Sequence, residues 1–251
     1  MRVLALGSTE LKLLWRNRSV MVMAIAFPLG LGGYMAYQGT SFGGGGWGVV
    51  VTLQIMLVLL MTVYITITTT LTARRQDLFL KRLRSGELTD LGILAGTVGP
   101  VLALGFAQSL VLTVIAMAAG APIPENPLLF AVGVLVGLAL FAAAGMASTV
   151  FTKTPENAQI TTLPIFMVAA GAAASSFLAD SQTVHWISVA LPGGGIAELL
   201  RTGWLGTTWD GRAVGFADQL VAAGPAVGAS AVWAAVAVYA ALRWFRWEPR
   251  A

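Results

Sequence analysis

Between Ser19 and Ala73 the chain carries no Asp, Glu, Lys or Arg in 55 consecutive residues. A helix on a soluble core shows a charged face every three or four residues, and none is present here. One bilayer crossing takes about 20 apolar helical residues, so this run is long enough for two crossings and a short turn. Charges and Gly/Pro punctuation delimit four further apolar runs. The pattern predicts six transmembrane helices, near 19–37, 49–73, 91–119, 128–151, 161–179 and 219–242. The chain 1–251 reads as a single transmembrane domain. The first connection contains Gly43-Gly44-Gly45-Gly46, too glycine-rich to hold a helix, and Pro122, Pro124 and Pro127 break the chain between the third and fourth runs.

Composition supports the membrane class. Hydrophobic residues make up 57% of the chain and charged residues 10%, whereas a soluble domain carries about 25% charge. The chain has no Cys and one His, which excludes a disulfide framework and a cysteine or multi-histidine metal centre. Charge placement predicts orientation. Arg2, Lys12, Arg16, Arg18, Arg74, Arg75, Lys81, Arg82, Arg84, Lys153, Arg243, Arg246 and Arg250 fall on one side, 13 of the 15 basic residues. Only Arg201 and Arg212 fall on the other. The positive-inside rule therefore places both termini in the cytoplasm. The first apolar run is expected to remain as a span, because 18 basic, amphipathic residues precede it and no clear cleavage site comes after it.

Three segments lie outside the spans. At the start, Leu4, Leu11, Leu14 and Trp15 recur on one side, with Lys12 and Arg16 on another. This suits an N-terminal amphipathic helix lying in the membrane interface; a simple basic start that fixes topology also fits. The loop from Arg74 to Asp90 interleaves Leu78, Phe79, Leu80 and Leu83 with five basic residues. A short amphipathic helix is expected, ended by Gly86 and followed by Thr89 or Asp90 as cap of the third span. Pattern alone favours a lipid-anchoring, positive-inside loop. The stretch from Asp180 to Asp218 is too long for a turn. His185-Trp186-Ile187 and Ala197–Trp204 read as short amphipathic pieces, with Trp186, Trp204 and Trp209 as interfacial anchors. His185 reads as an interfacial side chain rather than a ligand or base.

Much chemistry is absent. No G-x-x-x-x-G-K-[ST] occurs, so the chain does not bind ATP in the P-loop manner. The six spans hold no ionisable Asp, Glu, Lys, Arg or His, which weighs against proton-coupled transport and intramembrane proteolysis. Polar groups at depth are Gln54 and Gln108, with Thr62, Thr66, Thr69, Thr70 and Tyr64 on the second span. These hydroxyls either bond their own backbone carbonyls or line a cavity; Gln54, Thr62, Tyr64, Thr66 and Thr69 are the candidate lining residues. Gly92/Gly96, Gly133/Gly137 and Gly224/Gly228 are spaced for close helix contact. Pro28, Pro100, Pro164 and Pro225 each remove an N–H and leave a carbonyl in need of a partner.

The order of these elements resembles the integral membrane (permease) subunits of type-2 ABC exporters. The resemblance is carried by the basic amphipathic start, the six spans, the Leu80–Gly96 stretch LKRLRSGELTDLGILAG, and the segment from Leu191-Pro192 to Trp204 ending in ELLRTGW. It covers essentially the whole chain. Pro192-Gly193-Gly194-Gly195 is more glycine-rich than the family pattern. The resemblance implies that Arg75–Glu87 is a cytoplasmic coupling helix docking on a separate ATPase, with Arg75 at its start, Leu78, Phe79 and Leu83 as anchors and Arg82, Arg84 and Glu87 setting register. It implies re-entrant extracellular helices before the last span, around Trp186, Pro192, Glu198 and Arg201. It also implies a path lined by spans one, two and five.

The resemblance makes the chain an expected non-enzymatic permease subunit in a bacterial plasma (inner) membrane. It would bind no cofactor itself, ATP and Mg residing in two copies of an ABC ATPase partner. A second permease chain, identical or similar, and the lipid bilayer would be its other partners, with no nucleic acid. The apolar spans suit an amphiphilic or hydrophobic cargo, a drug or antibiotic ahead of lipid or polysaccharide. The alternatives are an ATP-independent six-span carrier or channel and a non-transporting assembly factor.

Overall fold

The structure is a computed structural model that describes residues 6–10, 12, 16, 18–41, 46–86, 88–178 and 181–248. Among the described residues the regular secondary structure is all helical, apart from one isolated bridge between Thr207 and Ala213. Five helices are long and apolar enough to cross a bilayer, and they mark the chain as a membrane protein. They are α2 (Gly46–Gln76), α4 (Asp90–Ala118), α5 (Pro127–Ser148), α6 (Ala158–Leu178) and α10 (Gly224–Trp244). The predicted bounds agree to within three residues at most ends. The exception is the last run, which divides at Ala223 into α9 (Phe216–Ala222) and α10. Ahead of α2, the first apolar run is helical as three joined pieces, here together α1: Arg18–Met21, a π-helical turn Val22–Ala26, and Phe27–Gln38. Of the N-terminal residues, Leu4, Leu11, Leu14 and Trp15 lie outside the described residues. Residues 6–10 are helical, with Leu6 and Glu10 buried.

Helix starts are set by neighbouring side chains. Thr89 caps α4 as expected, accepting from the Gly92 N–H at 3.1 Å. Asn126 caps α5 by accepting from the Leu129 N–H at 3.0 Å, with Pro127 next. The glycine-rich first connection departs from expectation at one end. Gly46 opens α2, because the helix there is held by packing rather than by propensity: Gly48 lies against Leu205 and Val49–Val51 are buried.

Helix α2 is the axis of the bundle. It is buried on most sides, whereas α4, α6 and α10 expose broad apolar faces. Its middle is a π-helix, Val58–Ile65. Around it the core gathers Ile55, Leu59, Val63, Tyr64, Ile67, Phe141, Ile196 and Trp204.

Two short helices fill the space beside α5, α6 and α10. Helix α7 (Gln182–Ala190) begins at a Ser181 cap and α8 (Gly194–Leu205) returns antiparallel to it. The tip between them reaches the middle of its neighbours: Gly193 abuts Ala169 of α6 and Met56 of α2, and Trp233 of α10 donates its indole N–H to Ala190 O at 2.8 Å. This depth explains the glycine run. Gly193 has φ +89°, a conformation L side chains rarely adopt. A Cβ on Gly194 would strike the Ser188 carbonyl, and one on Gly195 would come 2.6 Å from the Ala226 carbonyl. From the tip, α8 rises about 18 Å to the start of α5, where Asn126 N–H donates to Gly203 O at 2.9 Å and Glu125 N–H to Trp204 O at 3.2 Å.

Trp204 is therefore not an interfacial anchor. It is fully buried, edge-on to Phe130 at 5.3 Å between ring centres. Amphipathic spacing placed it on the rim, but every position of α8 from Gly194 to Trp204 is buried by neighbouring helices.

Candidate functional site

At one end of the bundle the basic segments converge. Arg74, in the last turn of α2, donates to Glu10 at 2.7 Å and lies 5.4 Å above the Phe79 ring. This ties the N-terminal helical residues to the segment after α2. Arg75 turns the other way and is buried, donating to the carbonyls of Thr149 at 3.0 Å and Thr152 at 2.5 Å. A cation there satisfies the open carbonyls at the end of α5. Arg75 is thus withdrawn from the surface that the coupling-loop expectation assigned to it: charge alone did not distinguish a helix-capping arginine from a docking one.

Between α2 and α4 sits a short helix, α3 (Phe79–Arg84). Leu80 is its buried anchor and Phe79 and Leu83 are half-buried, while Leu78 is exposed and starts the helix with φ +55°. Lys81, Arg82 and Arg84 face outward. Arg84 pairs with Asp90 at 3.1 Å and lies 5.1 Å over the Trp247 ring, and Lys81 pairs with Glu248 at 3.1 Å. Glu87 lies outside the described residues. The helix ends through Ser85 in ordinary αR geometry, so Gly86 supplies no left-handed cap.

The candidate cavity lies nearer this end. It measures about 490 Å³ and is lined by Met23 of α1, Met61, Ile65, Thr66 and Thr69 of α2, Pro155 and Glu156 of the α5–α6 connection, and Gln159, Thr162, Leu163 and Phe166 of α6. Both helices that supply a methionine do so from a π-helical stretch, Val22–Ala26 and Val58–Ile65. Such wide turns recur at functional sites because they displace side chains from the regular helical ladder. Glu156 accepts hydrogen bonds from its own backbone N–H and from the Thr154 hydroxyl. These hold its carboxyl below the usual carboxylate range, so it is ionised at neutral pH.

Of the five predicted lining residues, Thr66 and Thr69 reach this cavity. Gln54, Thr62 and Tyr64 do not; all three are fully buried in helix–helix contacts. Gln54 donates to Gly32 O at 2.6 Å and the Tyr64 and Ser148 hydroxyls are 2.9 Å apart. The Thr62 hydroxyl lies 2.7 Å from Ala24 O and 2.5 Å from Gln108 Oε1. A period of 3.6 placed Thr62 on one face with Thr66 and Thr69, but the π-helix through Val58–Ile65 turns the face between them. Sequence reasoning missed Met23, Met61, Glu156, Gln159, Thr162 and Phe166. Glu156 alone carried a signal, as the one carboxylate between the fourth and fifth apolar runs.

At the opposite end, Glu198 and Arg201 form a buried ion pair at 2.7 Å, with Thr202 donating to the same carboxylate at 3.2 Å. His185 is buried between Trp186 and Trp209, stacked on the latter at 5.2 Å. Trp186 is partly exposed and Pro192 forms the deep tip beside Gly193. Another, almost wholly apolar groove of about 450 Å³ runs between α5, α6 and α10 past Phe141, Pro164 and Trp233, with no charged residue in its wall. Among the described residues no group of three or more His, Asp or Glu could hold a metal. No family model, curated protein or solved structure matches this chain.

Proposed function

We propose that this chain is the membrane-spanning subunit of an ATP-driven exporter of the type-2 ABC kind, working with a separate ATPase. The observation that carries this reading is α3: a short amphipathic helix anchored by Leu80 between α2 and α4, with Lys81, Arg82 and Arg84 turned outward. A helix so placed can pass a push from a soluble partner into the bundle, since α2 is the central helix. The cavity between α1, α2 and α6 supports the same reading, because it offers an amphiphile a partly polar recess beside that helix. In this reading α1 is a sixth crossing, and both termini and α3 are cytoplasmic in a bacterial inner membrane. Helices α7 and α8 are then a re-entrant pair closing the outer half of the path. Two such chains, or this chain and a similar one, would flank the path with two ATPase subunits below.

The test is a charge reversal at α3. Arg82→Glu with Arg84→Glu should leave the protein inserted and folded, yet abolish cargo-stimulated ATP hydrolysis by the complex. Stimulation at the wild-type level would overturn the coupling role of α3. Co-purification with a P-loop protein encoded beside it, and vanadate-sensitive turnover of that complex, tests the exporter reading as a whole.

A further inference from the structure

We propose that the cavity between α1, α2 and α6 selects amphiphiles bearing a protonated amine, with the Glu156 carboxylate receiving the ammonium group. This deepens the exporter reading and rests on that cavity being part of the cargo path.

Charge comes first. Among the described residues Glu156 is the one charged residue in the wall, and no Lys, Arg or His lines it. The nearest cation in sequence, Lys153, is exposed and not part of the lining. An anionic head group would face this carboxylate with no described cation in the wall to offset it.

Hydrogen-bond capacity points the same way. Three hydroxyls line the cavity, and each spends its single hydrogen on a backbone carbonyl. Thr66 donates to Met61 O at 3.2 Å, Thr69 to Ile65 O at 2.9 Å and Thr162 to Ala158 O at 2.7 Å. A hydroxyl has one donor and two acceptor sites, so what remains toward the cavity is acceptor capacity. Among the described residues the Gln159 amide is the one side-chain donor left in the wall. An alkylammonium offers up to three N–H donors and no acceptor. A wall of acceptors with one carboxylate at its mouth complements that group.

The remaining wall suits the body of such a molecule. Met23, Met61, Ile65, Leu163 and Phe166 give a flexible apolar surface with two thioethers and one ring, groups that adapt to varied shapes. A volume of about 490 Å³ accommodates a drug-sized body. Because Glu156 is exposed, it acts as a screened contact at the mouth, so its effect on affinity is moderate.

The experiment uses the full chain in phosphatidylcholine nanodiscs, with empty nanodiscs subtracted. Three fluorescent probes share one alkyl body and end in a primary amine, its N-acetyl derivative or a carboxylate. The wild type should bind the amine about fivefold more tightly than the N-acetyl probe, the size of a favourable exposed ion pair, and the carboxylate least. Glu156→Gln should abolish the amine preference and leave N-acetyl binding unchanged, and Glu156→Lys should shift the preference to the carboxylate. Met61→Trp, which fills the cavity, should weaken all three. Equal binding of amine and N-acetyl probes, or a preference that survives Glu156→Gln, overturns the amine selectivity and leaves the cavity reading intact. Absence of protein-dependent binding by any probe, or binding indifferent to Met61→Trp, overturns the cavity as a cargo site.

Discussion

Gln108 on α4 donates its side-chain N–H to the backbone carbonyl of Ala24 on α1, 2.9 Å away. Pro28, four residues beyond Ala24, has no N–H to offer that carbonyl, and the π-turn Val22–Ala26 lies over the same place. Gln108 supplies the missing donor from another helix, and the Thr62 hydroxyl of α2 lies 2.7 Å from the same carbonyl and 2.5 Å from Gln108 Oε1. A proline in α1 thereby fixes how α2 and α4 are arranged around it.

That relationship predicts a coupled set of variants. Gln108→Leu and Thr62→Val should each destabilise by about 1–2 kcal/mol. Their double variant should cost less than the two single costs combined, since the two side chains contact each other in one network around that carbonyl. Adding Pro28→Ala returns a backbone donor and should reduce the cost of Gln108→Leu. Reversible unfolding in mixed micelles measures all of these; strict additivity without rescue would show the carbonyl to be satisfied some other way.

Gly193, Gly194 and Gly195 at the tip between α7 and α8 leave no room for a side chain. Gly195→Ala would bring a methyl against the Ala226 carbonyl and the Ser230 hydroxyl, each 2.6 Å from the added Cβ. It should cost about 3 kcal/mol or more. Gly228→Ala, with nothing within 4 Å of its Cβ position, should be neutral or mildly stabilising. Recovery of monodisperse protein after stepwise heating in detergent distinguishes the two.

Arg75 and Arg82 lie on either side of the turn into α3 and should behave as opposites. Arg75→Met strips the Thr149 and Thr152 carbonyls of a charged donor and should cost about 2–3 kcal/mol, with Arg75→Lys intermediate. Arg82→Ala, at an exposed position, should stay within about 0.5 kcal/mol of wild type. If Arg82→Ala proved the costlier change in a thermal shift assay, the assignment of the two arginines would be reversed.

The buried pair in α8 should show the asymmetry of desolvated charges. Arg201→Met leaves the Glu198 carboxylate buried without its bidentate partner, and should cost about 3–5 kcal/mol. Glu198→Leu combined with Arg201→Met removes both charges and should recover most of that loss. The comparison is read from denaturation midpoints in one detergent at one pH.

The apolar helices were legible because a bilayer crossing is a property of one segment: about 20 residues without charge suffice, whatever they pack against. The Thr89 cap was legible for the same reason, since it acts on an N–H three residues away. The site was legible only in fragments. Thr66 and Thr69 reach the cavity, while Gln54, Thr62 and Tyr64, chosen on the same grounds, are consumed in helix–helix contacts. Whether a polar side chain meets a cavity or a neighbouring carbonyl depends on the partner helix, and a single-helix pattern does not contain it.

The amino-acid sequence by itself determined the membrane class, the apolar helices and most of their ends, and the gathering of most basic residues on a few connecting segments. Those are local consequences of hydrophobicity and charge. Tertiary structure decided which arginine is buried, how deep the Gly193–Gly195 tip reaches, and which residues wall the cavity. It decided them because a carbonyl opened by a proline or at a helix end is satisfied by whichever side chain another helix brings within about 3 Å, and only the packed bundle fixes which one that is.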